Sequence, residues 1–464
     1  MNRVPSGSSW HLNQYSVETW LQRALRKHPW RTRTTGADLI FISFNFSLLC
    51  LNGHFYLFGA VWSHLSSGLD ENYPNSSKAI TLQYGHCAAP WRLPNQRPRS
   101  RRLIALHDRL PRATATAHQA QEGPAVVSPF VVASPEWLVA RNGPSHPLVP
   151  TVDWADRKLL FFAGHIPKLY ISPTRYKIWS ALRKASVERS GALLRHLHSD
   201  SITLASSSLL CTVGAYRVCR MKESELRKKP NSFFLTYCLA DCANMSSGAS
   251  SCGGMREWQS EETNALRLIR ACQSYKRVDF DAELQDMITT TRTLSHGDYL
   301  AQAMSHRFCI VAPGDFISTK KLTESMAIGG KGGCIPVIVL PSGDAAPAAS
   351  AARLLPYARW LDYCEAVYFV SEKTATTRME SVLRALAKVD AHTAAKKHRA
   401  LREVADAFVF REHSHSEQPS APEFILAEMC HAAKWSKRRI DSPGLLSGRL
   451  VSGVPDRCLL LPKR

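Results

Sequence analysis

Residues 308–339 decide the fold class open to this chain. They read Phe308-Cys-Ile-Val-Ala-Pro-Gly314, then Ser318-Thr-Lys-Lys-Leu-Thr-Glu324, then Gly333-Cys-Ile-Pro-Val-Ile-Val339. Phe308 to Val311 and Ile335 to Leu340 are short apolar runs of strand formers. Between them Leu322, Met326 and Ala327 keep helical spacing behind Ser318 and Thr319, both good N-cap residues. The pattern predicts a strand, a glycine turn, a helix and a second strand. The N-terminus of such a helix presents free backbone N–H groups and the positive end of the helix dipole, which suits the phosphates of a nucleotide.

The same residues resemble the sugar-nucleotide motif of the exostosin family of glycosyltransferases, which runs FCL-x-P-x-G, S/T-x-R-L-x-E, GCIPV. Two more segments are similar to family segments in the same chain order: Arg31-Thr-Arg-Thr-Thr-Gly-Ala-Asp-Leu-Ile-Phe-Ile42, and Leu159-Leu-Phe-Phe-Ala-Gly164 with Arg175 behind it. Leu355-Pro356, Leu361-Asp362 and Val370-Ser-Glu372 fit the family's continuation. The resemblance runs from Tyr15 to Leu386. It implies an α/β protein that moves a sugar from a nucleotide sugar, a UDP-sugar above all, to a polysaccharide or glycoprotein glycan, with inversion.

A chain of 464 residues has room for two domains with cores of their own. Its net charge of +21 favours polyanions: nucleic acid, anionic polysaccharide, a membrane surface or sugar nucleotides. No nucleic-acid module with interleaved aromatics is recognisable, so no specific nucleic acid is expected. A polyanion binder using its basic surface, or a family member that has lost turnover, remains the alternative reading. Of 13 cysteines, the group Cys211, Cys219, Cys238, Cys242, Cys252 and Cys272 suits local disulfides in an oxidising compartment. Asn45, Asn75 and Asn244 head glycosylation sequons, usable only on a lumenal or secreted surface.

No signal peptide follows Met1. The uncharged stretch 39–63 lies behind Arg23, Arg26, Lys27, Arg31 and Arg33, as in a signal anchor. Asn45, Asn52 and His54 interrupt it, and a globular strand followed by a helix is the preferred reading. Family members begin with an anchor and a further strand, which implies a truncated N-terminus here, and Golgi membrane or lumen as the location.

Apolar residues Val17, Trp20, Leu21 and Leu25 predict an amphipathic helix over 15–25. Residues 88–123 are rich in Pro, Ala, Thr and Arg and read as a basic, mobile insertion, with a short strand possible at Leu103–Leu106. Ala125 to Ala133 is an apolar run expected to enter the sheet. Lys158 to Ala163 reads as a strand ending at Gly164, Tyr176 to Leu194 as a helix, and Glu372 to Val389 as one amphipathic helix. The expected architecture is two tandem Rossmann-like domains of the GT-B type. The N-terminal, acceptor-side domain takes 14–155, the nucleotide-sugar domain 156–390, and a helical or irregular tail 391–464, mobile from His413.

The resemblance assigns donor binding to Gly164, Arg175, Gly314, Ser318, Thr319, Lys321 and Glu324. The hydroxyl pair takes the diphosphate, Glu324 the ribose, and Arg175 the phosphates, with His165 and Lys168 in the same basic loop. The chemistry agrees: a carboxylate accepts two hydroxyl hydrogens, and hydroxyls with helix N–H groups suit phosphate oxygens. Read without the resemblance, Thr319 and Glu324 describe an N-capped helix with a solvated acid. Lys321 replaces the family's arginine and keeps a point charge without the bidentate fork. Residues 329–333, Gly-Gly-Lys-Gly-Gly, are longer than the family's usual turn. They read either as a flexible helix-to-strand turn or as a loop near the sugar carrying Lys331. The base that an inverting transfer needs is not identifiable. Asp38, Arg31 and Arg33 suit structural roles, and His413 with His415 a solvated tail. With no DxD motif, no metal or other cofactor is expected.

Overall fold

The computed structural model describes residues 17–27, 40–41, 79–83, 103–106, 126–131, 150, 152–164, 173–188, 201–205, 290–292, 294, 296–313, 319–341, 355–358, 360–411, 419–437, 454 and 458–461. Helix α1 (Val17–Lys27) is amphipathic as its spacing predicts, with Val17, Trp20, Leu21 and Ala24 buried. Four short strands follow, β1 (Ile40–Phe41), β2 (Ala79–Gln83), β3 (Leu103–Leu106) and β4 (Val126–Val127). They pair in that order, all parallel. β3 is the short strand expected inside the basic insertion. The remainder of that insertion, the cysteine group 211–272 and most of 39–63 lie outside the described residues.

The second sheet is built from β5 (Lys158–Ala163), β6 (Ile202–Ala205), β7 (His306–Val311), β8 (Ile335–Leu340) and β9 (Tyr368–Ser371). Its spatial order is β6-β5-β7-β8-β9, again wholly parallel. Every residue of β8 is buried, as continuous apolar runs in parallel sheets covered on both faces require. Each such Val, Leu or Ile contributes about 1.5–3 kcal/mol relative to exposure.

Helix α2 (Pro173–Glu188) follows β5, α3 (His296–Ser305) precedes β7, and α4 (Lys320–Gly330) joins β7 to β8. The chain steps from β5 to β6 in one direction and from β7 to β8 in the other. Right-handed crossovers therefore put α2 and α4 on opposite faces. Their neighbours agree: α4 packs with α3 and with α8 (Ala391–Val404), and α2 packs with α6 (Glu372–Thr377) and α7 (Met379–Ala387). The short α5 (Tyr363–Ala366) precedes β9.

Two expectations change. The helix expected over 372–389 breaks at Arg378 into α6 and α7. Thr376 and Thr377 bond their hydroxyls to the carbonyls of Glu372 and Lys373, which competes with the helical ladder and bends it. The apolar face holds, with Met379, Val382, Leu383 and Leu386 all buried. The tail expected to be mobile from His413 instead carries helix α9 (Ala421–Lys437), which packs on α1, β3 and β4. Its Ile425, Leu426 and Met429 are buried, and that apolar face was hidden by the polar residues around it. The last described residues are fastened too. Cys458 is disulfide-bonded to Cys364, and the Leu460 N–H donates to the Phe369 carbonyl at 2.9 Å. Among the described residues no helix is long and apolar enough to cross a membrane.

Candidate functional site

The strand order reverses between β5 and β7, and ligands of open α/β sheets bind outside the carboxyl ends of the strands at such a point. Gly164 closes β5, buried, its N–H donating to the Ala205 carbonyl at 3.2 Å. Pro313 leads the chain out of β7. Arg175, in the first turn of α2, spans the gap: its Nε donates to the Pro313 carbonyl at 3.2 Å. Its Cδ lies 3.9 Å from where a Cβ on Gly164 would stand. Gly164 and Arg175 are thus brought together at the switch point.

The N-terminus of α4 opens beside them. Thr319 is its N-cap, extended at φ −132° and ψ 159°, with Oγ1 accepting from the Leu322 N–H at 3.2 Å. A hydroxyl that accepts in this way still has its own hydrogen to donate. The first N–H groups of the helix, on Lys320 and Lys321, have no acceptor within it. Glu324 faces inward and is only 5% exposed. Its Oε2 lies 2.8 Å from Lys321 Nζ and its Oε1 3.5 Å from Lys320 Nζ. Lys321 in turn sits 3.5 Å above the ring of Tyr299, a buried residue of α3. Burial pulls the Lys321 ammonium below its ordinary pKa, partly offset by Glu324, and the positive charge of Arg175 pulls the same way as burial. Burial also raises the Tyr299 phenol well above its usual range, and the adjacent Glu324 carboxylate adds to it.

A further bond ties these elements together. Thr174 Oγ1 donates to Glu372 Oε1 at 2.5 Å, so the first turn of α2 is held against that of α6 at the same edge of the sheet. The glycines at 329–333 belong to the other end. Helix α4 spans about 16 Å at 1.5 Å per residue, and they lie where it meets the amino end of β8. Gly330 touches Ala405 and Gly333 touches Ile328 so closely that neither has room for a Cβ. They are packing glycines, and the loop reading with Lys331 near the sugar is set aside.

Gly314 and Ser318 lie outside the described residues, as do Arg31, Arg33, Asp38, His165, Lys168, His413 and His415. Gly164, Arg175, Thr319, Lys321 and Glu324 are described and converge. Sequence reasoning missed Tyr299, Thr174 and Lys320, and it placed Glu372 in the resemblance without giving it a role at the site. Of the three missed, Lys320 alone carried a local signal, its i,i+4 spacing to Glu324. Among the described residues no three His, Cys, Asp or Glu side chains gather as metal ligands.

Fold and site together define a parallel α/β domain with a cluster of cationic side chains at a helix N-terminus. Residues 246–386 match the Exostosin GT47 domain, so the resemblance to exostosin-like glycosyltransferases is shown over this region. Such a domain implies a GT-B-like fold and supports a glycosyltransferase in general, with a nucleotide-sugar donor and a glycan acceptor. The matched region holds Tyr299, Thr319, Lys320, Lys321, Glu324 and Glu372, while Gly164 and Arg175 precede it. No curated protein matches the chain.

Proposed function

We propose that this chain is an inverting glycosyltransferase that takes a sugar from a UDP-sugar and transfers it to a polysaccharide or glycoprotein glycan in the Golgi. The observation that carries the reading is the coincidence of the matched exostosin domain with the cationic first turn of α4 beside Arg175. On this reading Glu324 accepts the ribose hydroxyls. Thr319, the α4 N–H groups, Arg175 and the lysine charge at the start of α4 hold the diphosphate, and the resemblance further assigns Gly164, Gly314 and Ser318 to the donor, Ser318 with Thr319 on the diphosphate. Positive charge fixed where the diphosphate departs stabilises the charge that develops there during transfer, and the proposal needs no metal for that purpose. The sheet β1–β4 is read as the acceptor-side half of a two-domain enzyme.

A thermal-shift panel with UDP, GDP and UDP-sugars tests the proposal. Ligand at a hundred times its dissociation constant stabilises by about 2.7 kcal/mol, a readily seen shift. A UDP-selective shift that Glu324→Ala abolishes supports the reading. No shift with any nucleotide, in protein shown to be folded, overturns it and favours a polyanion binder or a relic without turnover.

A further inference from the structure

Two lysines stand side by side at the start of α4, and the structure gives them different surroundings. Lys321 Nζ has a close carboxylate oxygen of Glu324 at 2.8 Å and the face of Tyr299 at 3.5 Å. Both partners are themselves buried. Removing the ammonium from them would strip the compensating charge from a carboxylate that has little access to water, which is costly. Lys320 differs on each count. Its side chain is 39% exposed against 29% for Lys321, and its ion pair with Glu324 Oε1, at 3.5 Å, is longer than a hydrogen bond. With its lysine end in solvent and its contact beyond hydrogen-bond length, this pair is weaker than that of Lys321. Long helical side chains lean toward the helix N-terminus, so the Lys320 stem leads toward the end that presents N–H groups to an anion.

We infer that Lys320 supplies the mobile positive charge for the donor diphosphate, while Lys321 stays on Glu324 and Tyr299 and fixes the carboxylate for the ribose. The inference rests on the donor-site reading above. It gives the diphosphate role to a residue outside the hydroxyl–basic–acid pattern and makes Lys321 a positioning residue. On nucleotide binding Lys320 exchanges one oxygen of Glu324 for a phosphate oxygen. Glu324 keeps Lys321 and Tyr299 throughout, so the ribose ligand holds its place while Lys320 turns to the phosphate.

The test compares UDP with uridine, which keeps the ribose and lacks the phosphates. Affinities of both are measured by calorimetry, or by ligand-observed NMR where weak, for wild type, Lys320→Met, Lys321→Met and Lys320→Arg. Lys320→Met is expected to weaken UDP about tenfold and leave uridine unchanged, the loss of one charge-assisted contact. Lys320→Arg restores UDP binding. Lys321→Met weakens UDP and uridine by the same factor, because it disorders the ribose ligand rather than the phosphate site. A merely structural role for Lys320 would lower the melting temperature without changing the ratio of the two affinities. The inference is overturned if Lys321→Met lowers the UDP-to-uridine ratio while Lys320→Met leaves it alone. Wild type that binds neither ligand sinks the donor-site reading, and this assignment with it. Wild type that binds UDP with an unaltered ratio in Lys320→Met sinks the assignment only. Lys320 is exposed enough that its variants fold, so the comparison stands even where Lys321→Met does not.

Discussion

The Phe130 N–H donates to Thr323 Oγ1 at 3.2 Å, joining the exit of β4 to the start of α4 across 193 residues of sequence. Both groups are buried, so the bond replaces water on each side. The helix that opens the candidate site is thus tied to the carboxyl end of the other sheet. Thr323→Val keeps the shape and removes the acceptor, so the buried Phe130 N–H loses this bond. The expected cost is about 1–3 kcal/mol in urea unfolding, most of it recovered by Thr323→Ser. Equal stability of the valine variant and wild type would show that the N–H finds another partner.

Two glycines should respond unequally to the same change. A Cβ on Gly330 would stand 2.4 Å from Ala405 Cβ and 3.2 Å from the Leu401 carbonyl oxygen, where α4 meets α8 and the turn after it. Gly330→Ala must push the two elements apart, at a cost of about 1–3 kcal/mol. A Cβ on Gly164 meets only Phe162 at 3.7 Å and Arg175 at 3.9 Å, ordinary contacts. Gly164→Ala should melt close to wild type. Thermal unfolding of the pair decides the matter, and a stable Gly330→Ala would mean that the crowding is easily relaxed.

This contrast marks what a linear sequence discloses. Thr319 and Glu324 were legible because an N-cap and its helix are local, and β7 and β8 because buried parallel strands are continuous apolar runs. The partners of those residues were not. Tyr299 reaches Lys321 only because α3 and α4 lie together on one face, and Thr174 meets Glu372 across 198 residues. The run 329–333 read either as a turn or as a ligand loop because glycine spacing does not say whether the freed space faces a ligand or a helix. The break at Arg378 depended on threonine hydroxyls choosing backbone carbonyls over solvent.

Alkaline pH should first strengthen the fold and then weaken it. Lys397 donates to the carbonyls of Cys364 and Val367 and lies 4.1 Å from the centre of the Tyr368 ring. Burial pushes its pKa down to about 8 from 10.5, against the opposing pull of Glu365 and Asp362. Between those values the unfolded chain holds more protons than the folded one, so this group makes stability rise with pH. Burial, helped by Asp390, pushes Tyr368 up to about 12 from 10.0. Above pH 10 the folded chain therefore keeps a proton the unfolded chain loses, and stability falls. Tyr299, Tyr357 and Tyr363, raised well above 10.0 chiefly by burial, act the same way. The urea midpoint is expected to climb from pH 8 toward 10 and then drop. Lys397→Met should flatten most of the climb and keep the drop, Lys321, lowered by burial too, supplying what remains; a climb of unchanged size would show that Lys397 is not its source.

Arg175 offers the sharpest reading of how the site is held. Its Nε is committed to the Pro313 carbonyl, which fixes the plane of the guanidinium at the gap between β5 and β7. A lysine there keeps the charge but has one ammonium for two tasks, holding the chain after β7 and meeting a phosphate. On the donor-site reading, Arg175→Lys should weaken UDP about tenfold and Arg175→Ala about a hundredfold, with little change in unfolding midpoint. Calorimetric titration with UDP checks both. If the lysine variant binds as wild type does, charge alone suffices and the anchor on Pro313 is irrelevant to binding. If the alanine variant also binds normally, Arg175 stabilises only the loop after β7, and the diphosphate must be held by α4 without it.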